Sequence, residues 1–159
     1  MSWLVVVRLL ALVCTGLVAG IFLGHRAGLS HAGPRLTPAT FIQVQQLIHD
    51  VYAKMMPPLV LGAVTSSTVW TIFLRHGPTH PAFWLVALAS LALVVAAALT
   101  RAVNIPINTR LMTWNVDAPP ANFRDLWRPW ERVHSLRTVL AIAAFMLQAV
   151  SLSTMEGLG

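Results

Sequence analysis

Four long apolar runs alternate with polar stretches along the chain. Residues 3–24 carry Arg8 as their only charge, 55–74 and 81–100 carry none, and 136–154 carry only Arg137 near the start. Each run is about the ~20 residues a helix needs to cross a bilayer. Hydrocarbon offers the backbone no hydrogen-bond partners, so segments of this length are expected to be helical. The pattern predicts an all-α, integral membrane, up-down four-helix bundle. It is read as one domain over 1–159, with spans at about 3–24, 55–74, 81–100 and 136–154. The 75–80 link is short enough to make the second and third spans an antiparallel hairpin.

Two longer polar connections, 25–54 and 101–135, fall at the same end of such a bundle. His25 to Leu36 contains Gly28, Gly33 and Pro34 and reads as a loop. Thr37 followed by Pro38 is a helix-start signal, opening a polar half-helix over Pro38–Lys54 that runs into the second span. Pro57 and Pro58 inside that pattern predict a kink or break. The third span is expected to continue past Thr100 toward Asn104 and stop before Pro106. Residues 117–122, with Pro119 and Pro120, read as a loop, and 124–137 as a helix entering the fourth span. Gly16, Gly20 and Gly24 recur every four residues on the first helix, a face suited to close packing within the bundle or to docking a partner.

Composition narrows the class. Apolar residues make up 57% of the chain and charged residues 10%, and the mean hydropathy is +0.71, which excludes an ordinary soluble domain, a disordered chain and a coiled coil. The formal charge is +6, with nine of the eleven basic residues between 25 and 54 or between 101 and 137. The positive-inside rule then places the polar connections in the cytoplasm and the protein in the cytoplasmic membrane. The bases are separated by apolar spans, so no nucleic-acid stripe forms. Cys14, the single cysteine, cannot form an internal disulfide and reads as a small buried hydrophobe. Arg8 followed by an apolar run and by Ala19 and Gly20 is similar to a secretory signal, but the segment is expected to stay as the first span.

Candidate chemistry gathers at the polar end. Gln43, Gln46, His49 and Ala53 fall at helical spacing just before the second span. Arg101, Asn104 and Asn108 have a similar spacing after the third, and Trp127, Trp130, Glu131, His134 and Arg137 lie within three turns entering the fourth. Ionisable groups at the end of a membrane bundle face its interior or a wet cavity, since facing lipid is costly. An imidazole such as His134 or His49 can take a proton near neutral pH, and Arg137 with Asn104 and Asn108 can hold the resulting enolate or oxyanion. Trp130, Gln46 and Arg101 are the candidate substrate contacts. The competing reading makes Trp127 and Trp130 an interfacial aromatic belt and Arg128 and Arg132 snorkelling anchors.

His25, His49 and His134 all lie at this end, and three imidazoles would suit copper or iron. Glu131-x-x-His134 has the spacing of a di-metal carboxylate ligand pair, but five acids in the whole chain cannot supply the remainder. His31, His76 and His80 have Gly or Pro nearby and read as solvated loop residues. No nucleotide, haem-attachment or Ser-His-Asp pattern is present.

Asn104-Ile105-Pro106-Ile107-Asn108 and Trp130-Glu131-Arg132-Val133-His134-Ser135-Leu136-Arg137 carry a resemblance. The chain resembles the anthrone oxygenase-like family of small four-helix membrane proteins, which share Pro-x-Asn after the third helix and Trp-x3-His/Asn-x2-Arg entering the fourth. Asn108, Trp130, His134 and Arg137 match that pattern. The resemblance implies oxygenation of an anthrone to an anthraquinone with molecular oxygen, without flavin, haem or nicotinamide. The first expectation is therefore a membrane oxygenase acting on an aromatic, polyketide-type or other carbanion-forming molecule of secondary metabolism. No cofactor is required in that reading, and a histidine-bound copper or iron remains an option. The alternative is a non-enzymatic membrane partner or assembly protein, or a homo-oligomer, packing through the Gly16/Gly20/Gly24 face.

Overall fold

A computed structural model describes residues 3–74 and 77–156. Helix α1 covers Trp3–Gly24 and passes into a π-helical turn, His25–Leu29, then the short α2, Ser30–Ala32, and a 3-10 turn, Gly33–Arg35. Helix α3 covers Pro38–Ile72, a 3-10 turn Gly77–Thr79 follows, and α4 covers Pro81–Leu99. A second π turn, Thr100–Asn104, leads into α5, Ile105–Leu111, and α6 covers Phe123–Glu156. Four of these continuous helical stretches are long and apolar enough to cross a membrane.

The expected loop over 25–36 is instead a chain of helical turns. Backbone angles stay right-handed helical through Gly24, Leu29 and Gly33, and become extended only at Leu36 (ψ 149°). Gly28, Gly33 and Pro34 permit a loop but do not impose one. The helical turns end at Leu36, and Pro38 holds the residue before it extended as well: Thr37 has ψ 155°, and its hydroxyl accepts from the Thr40 N–H. Pro57 and Pro58 do not interrupt α3, a 35-residue helix, in keeping with the tolerance of proline in membrane helices. Pro106 likewise fails to end the third helix, because it sits in the first turn of α5, where its missing N–H costs nothing.

α1 packs against α3 and α6, and α4 packs against α3 and α6, so the four spans close a ring. Of the glycine face, only Gly16 is a close contact: a Cβ there would lie 3.1 Å from the Phe145 ring on α6. Gly20 and Gly24 face open space, so the expected tight packing within the bundle does not extend along that face. Mid-span, Ser67 of α3, Ser90 of α4 and Gln148 of α6 are joined by hydrogen bonds of 2.8 and 3.1 Å, with Thr71 adding a bond of 3.1 Å to Ser90.

At about 1.5 Å per residue, α3 and α6 are some 50 Å long and outreach a ~30 Å hydrocarbon core. The surplus lies at the polar end, where Phe41, Ile42, Leu111, Trp114, Phe123, Trp127 and Trp130 form an aromatic-rich cap core. Trp127 and Trp130 are buried there, which corrects the aromatic-belt reading. The exposed aromatics near the opposite end are Trp3, Phe73 and Trp84.

Candidate functional site

Directly beneath the cap is a cavity of about 630 Å³. Its inner wall is built on α6, where residues 127, 130, 134 and 137 follow one another at three- and four-residue spacing and so share a face. Trp127 stacks on Trp130 (centroids 4.4 Å, 18° between planes), and Trp130 stacks on His134 (4.7 Å, 27°). Trp127 Nε1 donates to Glu131 Oε1 at 3.0 Å, so Glu131 fixes the stack from behind.

Arg137 closes the inner end. One guanidinium nitrogen donates to Thr100 Oγ1 at 2.8 Å, and the other lies 2.9 Å from His134 Nδ1. The cation also sits 4.6 Å from the centre of the Phe22 ring. A guanidinium has no acceptor, so Nδ1 of His134 accepts and the ring proton resides on Nε2. Nε2 makes no hydrogen bond of good geometry, although the Phe22 carbonyl is close to the ring. Nε2 of His25, Nε1 of Trp130 and Nε of Arg137 are also buried without a partner. An unpaired buried donor is expensive, and this many beside one cavity mark a place where ligand atoms or water complete the bonding.

The two π turns aim at α6 from opposite sides. The first sets the His25 ring 5.1 Å from Trp130 and 4.9 Å from His134, and holds Arg26 Nε 2.9 Å from Ser135 Oγ. The second supplies Thr100 to Arg137 and Asn104, whose side-chain amide donates to the Trp130 carbonyl at 3.3 Å. A π turn adds a residue to the helical register; the first brings the consecutive residues His25 and Arg26 to the fourth span, and the second brings Thr100 and Asn104, four residues apart, to it.

Of the residues expected from the sequence, His25, His49, Arg101, Asn108, Trp130, His134 and Arg137 line the cavity. Asn104 does not: it is buried, with its amide on the Trp130 carbonyl. Gln46 does not either: its amide donates to the Leu111 and Trp114 carbonyls at 3.0 and 2.9 Å, fastening the end of α5. Gln45, turned 100° from it on the helix, lines the cavity instead. The three-histidine metal site is not assembled. His25 and His134 adjoin, but among the described residues no group of three His, Cys, Asp or Glu side chains is placed to hold an ion, because His49 lies on α3 outside that pair.

Arg128 pairs with Asp125 at 3.1 Å on the surface, consistent with an anchor. His31 is exposed. His80 is not simply solvated, since its Nδ1 accepts from the Ala82 N–H and starts α4. His76 lies outside the described residues. Sequence reading missed Thr100, Phe22, Tyr52 and Gln45, none of which has a local signature, since each meets the site only through a neighbouring helix.

No curated protein and no solved structure matches the chain. The model of the anthrone oxygenase family matches residues 46–147, which contain His49, Thr100, Asn108, Trp130, His134 and Arg137 but neither Phe22 nor His25. With its four membrane-spanning helices and this match over most of its length, the chain is an integral membrane protein that belongs to the anthrone oxygenase family.

Proposed function

We propose that the cavity is the active site of an oxygenase that converts an acidic methylene of a flat apolar ring system to a carbonyl with molecular oxygen. The observation that carries this reading is the wall chemistry: a largely apolar cavity, lined by three imidazoles and two guanidinium groups and by no carboxylate. Such a site favours an apolar molecule that becomes an anion within it.

The reaction balances as one CH₂ plus O₂ giving one C=O plus water. A base removes a proton from the methylene. The resulting enolate reduces oxygen and combines with it to form a carbon-bound hydroperoxide, and loss of water leaves the ketone. The electrons come from the substrate, so no cofactor is needed in this reading.

Roles follow from the hydrogen bonding. His134 has Nδ1 committed to Arg137, which makes it a donor through Nε2–H and shifts the part of base to another imidazole. His49 fits that part: it lines the cavity from α3, is half-buried, and makes no hydrogen bond among the described residues. Arg137 and Asn108 stabilise the enolate oxygen, and the Trp127–Trp130 stack offers a flat surface to the rings. The cation-rich end faces the cytoplasm by the positive-inside rule.

The test is oxygen uptake by detergent-purified protein supplied with anthrone, with anthraquinone followed by absorbance. One anthraquinone per oxygen, at a rate well above autoxidation and lowered by about 10²–10⁴-fold in His49→Ala, is expected. A wild-type rate equal to the protein-free control overturns the proposal.

A further inference from the structure

The cavity is open along one flank, and its two rims have the same construction. Ala53, Pro57 and Leu61 edge it from α3 and Arg101, Ile105 and Thr109 from the third helix, each set at i, i+4 and i+8. All six are exposed, Leu61 at 67%, whereas His134 and Arg137 on the inner wall are 2% and 5% exposed. The opening therefore faces outward between the second and third helices, where lipid and its interface would be.

Arg101 is the one charged residue on either rim. It directly follows Thr100, which holds Arg137, so the rim cation and the buried cation stand at the same level, one at the mouth and one at the floor. Arg137 is engaged by Thr100 and His134 and occupied with the inner oxygen in the proposed reaction. Arg101 makes no hydrogen bond or ion pair among the described residues, and no acid lines the cavity to neutralise it.

We infer that Arg101 is a specificity-determining residue that selects ring substrates bearing an acidic substituent, a carboxylate, on the edge that faces the mouth. The inference rests on the cavity being the substrate site and names the substrate class further. A molecule so bound has its reacting carbon over the imidazoles, its ring oxygen toward Arg137 and its carboxylate on the Arg101 guanidinium, which binds carboxylates through paired N–H groups. An exposed arginine near a membrane surface also suits a plain interfacial anchor, and Arg110, exposed on α5 but off the cavity lining, provides that comparison.

The experiment measures binding without turnover. Affinities of anthraquinone-2-carboxylate and of its methyl ester are determined by calorimetry in one detergent for wild type, Arg101→Ala, Arg101→Lys and Arg110→Ala. Comparing variants in the same micelles cancels partitioning of the probes. We expect Arg101→Ala to weaken the carboxylate about tenfold, which is ~1.4 kcal/mol, and the ester less than about twofold, with part of the loss restored in Arg101→Lys and no change in Arg110→Ala.

Equal shifts for acid and ester, an unchanged carboxylate affinity, or the same loss in Arg110→Ala overturns the assignment. So does a result in which Arg101→Ala releases co-purified phosphatidylglycerol while carboxylate binding is untouched, since the residue is then a lipid anchor. Failure of the oxygenase reading is separately visible: anthrone oxygenation would be missing while the acid selectivity remained.

Discussion

Two buried polar clusters lie inside this bundle, and they differ in what they leave undone. The mid-span cluster of Ser67, Thr71, Ser90 and Gln148 is closed upon itself. Its hydroxyls bond to one another and to helix carbonyls, as Thr71 Oγ1 does to Ser67 O and Ser90 Oγ to Val86 O, and only Gln148 Oε1 is left over. The cluster of His25, Asn104, Trp130, His134 and Arg137 is more deeply polar, yet five of its buried nitrogen and oxygen atoms lack partners and it borders a cavity. A satisfied network fastens helices together. An unsatisfied one beside a cavity has atoms free to bond a substrate or water, which is the use the proposed function makes of it.

That contrast gives a graded set of expectations, to be tested as oxygen uptake with anthrone and as unfolding in detergent. The largest effect is expected at His49. His49→Ala should lower turnover by about 10²–10⁴-fold, the usual contribution of a general base, and should abolish exchange of the substrate methylene with deuterated water. Normal exchange in that variant would move the base elsewhere in the site.

Arg137→Lys keeps the charge but cannot reach Thr100 and His134 together. A loss of about 10²-fold in kcat, the scale of a missing oxyanion donor, is expected with helix content by circular dichroism unchanged. Thr100→Val removes one anchor of the guanidinium and should lower kcat/KM by about tenfold, roughly one hydrogen bond to a charged group. An unaffected Thr100→Val enzyme would show that Arg137 needs no positioning from α4.

The smallest effect belongs to the closed cluster. Gln148→Leu should reduce stability by ~0.6 kcal/mol, as interhelical hydrogen bonds in membranes typically do, while kcat/KM stays within about twofold. If Gln148→Leu destroyed activity as well, the division between fastening and functional clusters would collapse.

Much of the frame was legible from residue order because it depends on short-range rules. Span lengths follow from apolar runs, the start of α3 from Thr37 and Pro38, and the meeting of His134 with Arg137 from a three-residue spacing on one helix. The errors arise where local signals leave the outcome to packing. Residues 25–36 contain glycine and proline, yet no residue there forbids helix, so packing against α6 decides the conformation. Asn104 and Gln46 have the right spacing for the cavity, but the π turn redirects the first, and the unfinished end of α5 captures the second. Trp127 and Trp130 fit an interfacial belt equally well by sequence, and only the helical cap above the membrane buries them.

The sequence by itself determined that this chain has four helices long and apolar enough to cross a membrane, that its polar groups collect at one end, and that its family motif places an imidazole and a guanidinium one turn apart. These follow from periodicity and from the cost of exposing polar groups to hydrocarbon. The tertiary structure decided which polar groups meet. Thr100 lies 37 residues before Arg137 and His25 lies 109 before His134. Contacts over such separations depend on helix register and on the rotation that each π turn introduces, and neither is written in the local sequence.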